Sequence, residues 1–109
     1  MSTDPYLQAA IEEARLGLAE GIESALSAMQ LYGIPCWATL GNERFGLVTI
    51  PELVRELHLF IDHDAGGALA EERAREAYER EGRRIVTRRP ERAGEDWNDV
   101  LVRRLSVSA

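Results

Sequence analysis

The chain contains no lysine: all 13 of its basic residues are arginine. That absence excludes a Walker-type phosphate loop, whose lysine reaches the phosphates, and any lysine Schiff base. A single cysteine, Cys36, excludes an internal disulfide and a cysteine-based metal cluster, and suits a reducing, cytoplasmic setting. No apolar run approaches the roughly 20 residues of a membrane helix, so no membrane association is expected. The start, Met1-Ser2-Thr3-Asp4-Pro5, has neither the basic nor the apolar region of a signal peptide. Net positive charge is lacking too. At −6, the chain is ill suited to grip nucleic acid by bulk electrostatics alone.

What is present fits one domain: 109 residues, enough for a single core. The chain is organised around Leu57-His58-Leu59-Phe60-Ile61-Asp62-His63-Asp64-Ala65-Gly66-Gly67, a short apolar run ending in two aspartates and two glycines. Such runs read as buried strands, which puts the aspartates at a strand's carboxyl end, in the turn to a helix. Further strands are expected at Arg15–Ala19, Ile34–Leu40 and Arg84–Thr87. Helices are expected over 5–14, with Asp4 as cap, and over 22–32, with Ile22, Ala25, Leu26 and Met29 facing inward. A third is expected after Thr49, with Leu53, Val54 and Leu57 inward, followed by Ala68–Glu81, closed by Gly82, and Trp97–Leu105. Glu43–Gly46 and Pro90–Glu95 read as loops. Alternating strands and helices, joined by connections too long for hairpins, give an α/β fold with a mainly parallel sheet of about four strands between helical layers. Residues 1–14 form a helical extension and 15–109 the domain.

Acidic residues follow three of these strands: Glu20, then Asp62 and Asp64, then Asp96 with Asp99. In extended backbone Asp62 and Asp64 point to one side, and like charges so placed need a cation or a proton between them. With the first and third strands adjacent, Glu20 joins the pair. Oxygen ligands of this kind suit Mg²⁺ or Mn²⁺, which keeps several waters and binds through carboxylates and substrate phosphates. Gly21, Gly66 and Gly67 would permit tight turns and let a phosphate approach a helix N-terminus. Asn42 and Arg44, after the second strand, border the same cleft. Arg88 and Arg89, within a run of arginines from Arg83 to Arg92, form a candidate phosphate-contact strip. His63 should point away from its flanking aspartates, and Trp97 should anchor the last helix.

Four blocks, Ala19-Glu20-Gly21-Ile22-Glu23-Ser24-Ala25-Leu26, Gly33-Ile34-Pro35-Cys36-Trp37-Ala38, Asp62-His63-Asp64-Ala65-Gly66-Gly67 and Gly94-Glu95-Asp96-Trp97-Asn98-Asp99-Val100-Leu101, resemble the Toprim domain. The branch they most resemble is that of plasmid- and phage-type primases and primase–helicases. The resemblance implies a Rossmann-like fold in which Glu20, Asp62 and Asp64 form a catalytic metal site, with Asp96 as an added acidic position. It also implies metal-dependent nucleotidyl or phosphoryl transfer on DNA or RNA, in company with other primase or helicase domains. Strand cleavage by the same site, or a non-catalytic docking role, are the alternatives. Zinc-module and helicase motifs are missing from these residues, which points to partner domains for primer synthesis.

Overall fold

The computed structural model describes residues 14–108. Four strands form one sheet: β1 (Arg15–Ala19), β2 (Cys36–Ala38), β3 (Glu56–Phe60) and β4 (Arg84–Arg88). Their order is β2-β1-β3-β4, and each neighbouring pair is parallel. Among the described residues three α-helices cover the sheet: α1 (Ile22–Tyr32), α2 (Ala65–Tyr78) and α3 (Trp97–Ser108). None of them is long and apolar enough to cross a membrane. The expected N-terminal helix lies outside the described residues except for Ala14, whose carbonyl accepts the N–H groups of Arg55 and Glu56.

Side chains alternate across the two central strands, as a period of two requires. Leu16, Leu18, Leu57 and Leu59 join Ala70, Ala74 and Tyr78 of α2 in one buried cluster. Ala19 and Phe60 join Ala25 and Ala28 of α1 and Trp97 and Val100 of α3 in the other. The molecule is therefore a three-layer α/β sandwich, with α1 and α3 on one face and α2 on the opposite one. Gly17 makes room for Phe60: a Cβ there would stand 2.7 Å from the ring and 3.0 Å from the Cys36 sulfur. Cys36 itself is packed, and burial pushes its thiol up to about 12.

Helix α1 sits differently from the sequence expectation. It buries Ser24, Ala25, Ser27 and Ala28, while Ile22 and Leu26 remain 61% and 60% exposed. Beneath the C-terminal end of α1, the rings of Tyr32, Phe60 and Trp97 fill the space, with centroids 5.2 to 5.6 Å apart. Only small side chains fit where the helix approaches the sheet, so the large apolar ones turn outward. Gly33, at φ 69°, closes the helix by donating its N–H to the Met29 carbonyl.

The helix expected after Thr49 does not form. Its carbonyls are taken by a side chain from elsewhere: Arg83 is buried and donates from Nε to Val54 O at 3.0 Å and from Nη2 to Pro51 O at 3.0 Å. Its Nη1 donates to Tyr78 O at 3.1 Å. Tyr78 holds the same connection further along, donating its hydroxyl to Val48 O at 2.6 Å and accepting from Gly46 N. A 3-10 turn at Asn42–Arg44 is the regular structure between β2 and β3. Leu53 is left exposed, and Leu57 belongs to β3. Elsewhere the differences are at boundaries. Helix α2 starts at Ala65 rather than Ala68 and stops at Tyr78, leaving Gly82, at φ +80°, to the turn before β4.

Two stability measurements follow. Arg83→Met removes three hydrogen bonds to backbone carbonyls, of which Pro51 O keeps the Val54 N–H, and should lower the unfolding free energy by at least about 2 kcal/mol in urea denaturation. Arg83→Lys should recover less than half of that, because a point-like ammonium cannot span the three acceptors. At Gly67 a Cβ would stand 2.1 Å from the Asp62 carbonyl oxygen, whereas at Gly21 it would meet nothing within 4 Å. Gly67→Ala should therefore cost about 2–3 kcal/mol, and Gly21→Ala no more than about 1 kcal/mol.

Candidate functional site

Register brings the acidic residues together. Ala19 pairs with Phe60 across β1 and β3, so the residues that follow emerge side by side at the carboxyl edge. From there α1 departs over one face and α2 over the other, which is the switch point where open α/β sheets form a crevice. Glu20, Gly21, Ser24, Leu40, Asp62 and Asp96 line a cleft of about 350 Å³ at this point. The Asp62 carboxyl hydrogen-bonds Glu20. Burial, then the charges of Glu20 and Asp64, that hydrogen bond and the charge of Asp96 push its pKa up to about 6.

Asp64 is near enough to act on Asp62 but has a separate task. The chain bends at His63 and Asp64, and of the two aspartates Asp62 is the one that lines the cleft with Glu20. Asp64 is the N-cap of α2, its Oδ1 accepting from Gly67 N at 2.7 Å. Asp96 combines two roles. It lines the cleft, and its Oδ1 accepts from Asp99 N at 2.8 Å while Asp99 Oδ2 accepts from Asp96 N at 3.1 Å. That reciprocal pair starts α3 in the manner of a capping box.

Gly21 adopts extended backbone, φ −117°, and makes no turn that requires glycine. Its contribution is open space above the α1 N-terminus, which has no side-chain cap. Gly66 and Gly67 lie in the first turn of α2 rather than in a loop, and Gly67 is the one packed against backbone. Asn42 borders α2: a Cβ on Gly66 would come within 2.9 Å of its Nδ2. Arg44 is exposed on the 3-10 turn, with no side-chain hydrogen bond or ion pair among the described residues.

Leu40 is a cleft residue that the sequence did not flag. It is 62% exposed and left-handed, at φ 67°, just where its N–H reaches Glu20 O at 2.7 Å. Leucine carries no turn signal, and the neighbouring Gly41-Asn42 was the trace of the bend. Ser24 and Ile22 also stand in the cleft wall.

The remaining candidates are tied elsewhere. His63 turns from the cleft, bonding Pro90 O through Nδ1 at 2.8 Å, while its N–H donates to Glu95 O. His58 accepts from Arg88 Nε at Nδ1, which leaves Nε2 to donate to Glu56 at 2.6 Å. Arg88 is thus committed to His58 and to the Tyr32 ring, over which its guanidinium sits at 4.5 Å. Arg89 is exposed at the end of β4, 3.5 Å from Glu71.

All the acidic donors that meet here are carboxylate oxygens, the chemistry of a hard cation. Among the described residues no group of three or more His, Cys, Asp or Glu side chains is arranged to hold a metal by itself. The donor set therefore fits an ion held by one or two carboxylates, with water and a ligand's oxygens completing its shell. It does not fit an ion caged by protein alone.

Comparison with known proteins bears on this fold. No curated protein matches the chain. A crystal structure of a DNA primase domain from Pseudomonas aeruginosa is similar over 88% of this chain, with a TM-score of 0.64 at 21% identity. The match spans 31% of that primase chain. The Toprim domain model matches residues 15–106, nearly the whole chain, and the protein therefore belongs to the Toprim domain family.

Proposed function

We propose that this Toprim domain takes a divalent cation, Mg²⁺ or Mn²⁺, at Glu20 and Asp62 with Asp96 beside them, and serves phosphoryl transfer on nucleic acid in a primase-related replication protein. The observation that carries the reading is the Glu20–Asp62 pair at the switch point, where burial and mutual repulsion hold a proton that a cation would replace. When bound, the cation would neutralise charge on a phosphoryl group and polarise it for attack. The chain's own parts divide the remaining work. Glu20 and Asp62 would supply oxygen ligands, and Glu20 would also accept a proton from an attacking hydroxyl. The uncapped start of α1 offers backbone N–H groups to a nucleotide phosphate or to a DNA or RNA backbone. Asp64 and Asn42 keep the start of α2 in place beside the cleft. The partial match to a longer primase chain supports further primase or helicase domains as partners that complete the reaction.

A docking role without catalysis is the second reading, favoured by the exposed Ile22 and Leu26 on α1. Metal binding separates the two. Mn²⁺ should broaden amide resonances of residues 20–24, 62–64 and 96 in the wild type, and Asp62→Asn should weaken binding at least about tenfold. Unchanged spectra in the wild type would leave only docking. Labelled oligonucleotides incubated with Mn²⁺ and nucleotides then report the reaction class: longer products mean synthesis, shorter ones cleavage, and Asp62→Asn should abolish either.

The proton on Asp62 sets the pH dependence. Mg²⁺ must displace it, so apparent affinity should fall about tenfold per pH unit below 6 and level off above about 7, measured by calorimetry. In the metal-free protein the folded state holds this proton more tightly than the unfolded chain. Stability from this group is then full below the ordinary aspartate pKa and is lost as pH rises through about 6. Asp62→Asn should raise the melting temperature at pH 8 and leave it nearly unchanged at pH 4.

A further inference from the structure

Leu40 stands out twice at the rim of the acidic cleft. Among the described residues it is the one non-glycine position with positive φ, at 67°. It also leaves 62% of a large apolar residue exposed. The left-handed region crowds any Cβ and is visited mainly by glycine, asparagine and aspartate. Leucine in water gains none of the stabilisation that burial would give it. Asparagine or glycine would make the same turn with less strain.

The turn is nevertheless held firmly. Buried Thr39 donates its N–H to Ala19 O at 2.8 Å, and its Oγ1 donates to Gly41 O at 2.8 Å, bridging across Leu40. The Leu40 N–H donates to Glu20 O at 2.7 Å. Gly41 then continues the bend at φ 152°. Strain of this kind persists only where the surroundings over-determine the conformation, and it is concentrated in segments that clamp ligands. Here it fixes a leucine next to Glu20, with its side chain in the cleft wall.

The sheet order gives the cleft two unlike sides. In the order β2-β1-β3-β4, Leu40 follows β2, Glu20 follows β1 and Asp62 follows β3. Asp96, just before α3, completes the acidic side. The first turn of α1 adds Ile22, which is 61% exposed, and Glu23 to the same cleft. Leu40 and Ile22 are thus the aliphatic part of a wall that is otherwise polar or glycine. A ligand whose phosphoryl oxygens reach towards Asp62 would lay its uncharged part on the β2 side, over Leu40. In a nucleotide that part is the furanose ring and the face of the base, both of which pack on aliphatic side chains.

We propose that Leu40, together with Ile22, forms the surface on which the sugar and base of a nucleotide rest, and that the strained turn holds Leu40 in place for this contact. The contact rests on the phosphoryl-transfer reading above and names the part of the substrate that the carboxylates leave unrecognised. The test compares two ligands of equal charge, dTTP and methyl triphosphate, titrated by calorimetry in the presence of Mn²⁺. The wild type should bind dTTP at least about fivefold more tightly, as burial of part of an aliphatic side chain implies. Leu40→Asn and Leu40→Gly suit a left-handed turn and keep it while removing the aliphatic surface. In both, dTTP alone should weaken, leaving the two ligands within about twofold of each other. Their melting temperatures should be no lower than that of the wild type, because the strain is relieved. Leu40→Met, which retains an apolar side chain, should retain most of the preference. Equal affinity for the two ligands in the wild type, an undiminished preference in Leu40→Asn, or equal weakening of both ligands in the variants would overturn the proposal. Mn²⁺ broadening at residues 62–64 keeps the two readings apart. If it persists while the Leu40 variants lose nothing selectively, only the Leu40 contact fails. If it is missing from the wild type while the dTTP preference still depends on Leu40, only the cation reading fails.

Discussion

Parallel pairing of β1 with β3, in the register that sets Ala19 beside Phe60, is the constraint on which the rest depends. It places a glutamate and an aspartate from distant parts of the chain at one sheet edge, between helices that pack on opposite faces. The Asp62 carboxylate is not stabilised by its neighbours. Burial and the other acidic groups keep Asp62 protonated well above the ordinary range. Like charges gathered in a partly buried cleft are an arrangement that a proton or a cation relieves.

The surrounding parts can be understood as holding that edge in shape. Asp64 caps α2, and Gly67 lets the helix start directly against the Asp62 carbonyl. His63 and the backbone of Gly94 and Glu95 bind the aspartate segment to the loop before α3, which fixes Asp96 across the cleft. On the far side, Leu40 bends in a left-handed conformation over Glu20. Three segments that are separate in sequence thus converge through backbone contacts, and the acidic side chains inherit their positions.

The strands and their order of chemistry were legible because short apolar runs, glycine and acidic residues follow each other in a pattern that few other local structures produce. The α/β class, the four strands and the meeting of Glu20 with Asp62 could all be read that way. What could not be read depended on partners far away in sequence. Thr49 and Pro51 look like a helix start, but the Arg83 guanidinium occupies the carbonyls that such a helix needs. Ile22, Leu26 and Met29 have helical spacing, yet the aromatic cluster beneath α1 admits only alanine and serine. Asp64 also caps α2, a task that the Asp-x-Asp spacing alone does not announce. Arginine identity was equally silent about role: Arg83 is internal scaffolding, Arg88 lies over an aromatic ring, and Arg92 is exposed.

The packed sulfur of Cys36 has a practical side. A thiol held near pKa 12 is almost entirely un-ionised at neutral pH, and the thiolate is the form that alkylating reagents attack. Maleimide or iodoacetamide should modify it slowly in the folded chain, more slowly than an exposed thiol. A spectroscopic label could therefore be attached at an introduced surface cysteine with the native one left in place, and delayed modification of Cys36 would then act as a built-in clock for opening of the β1–β2 edge.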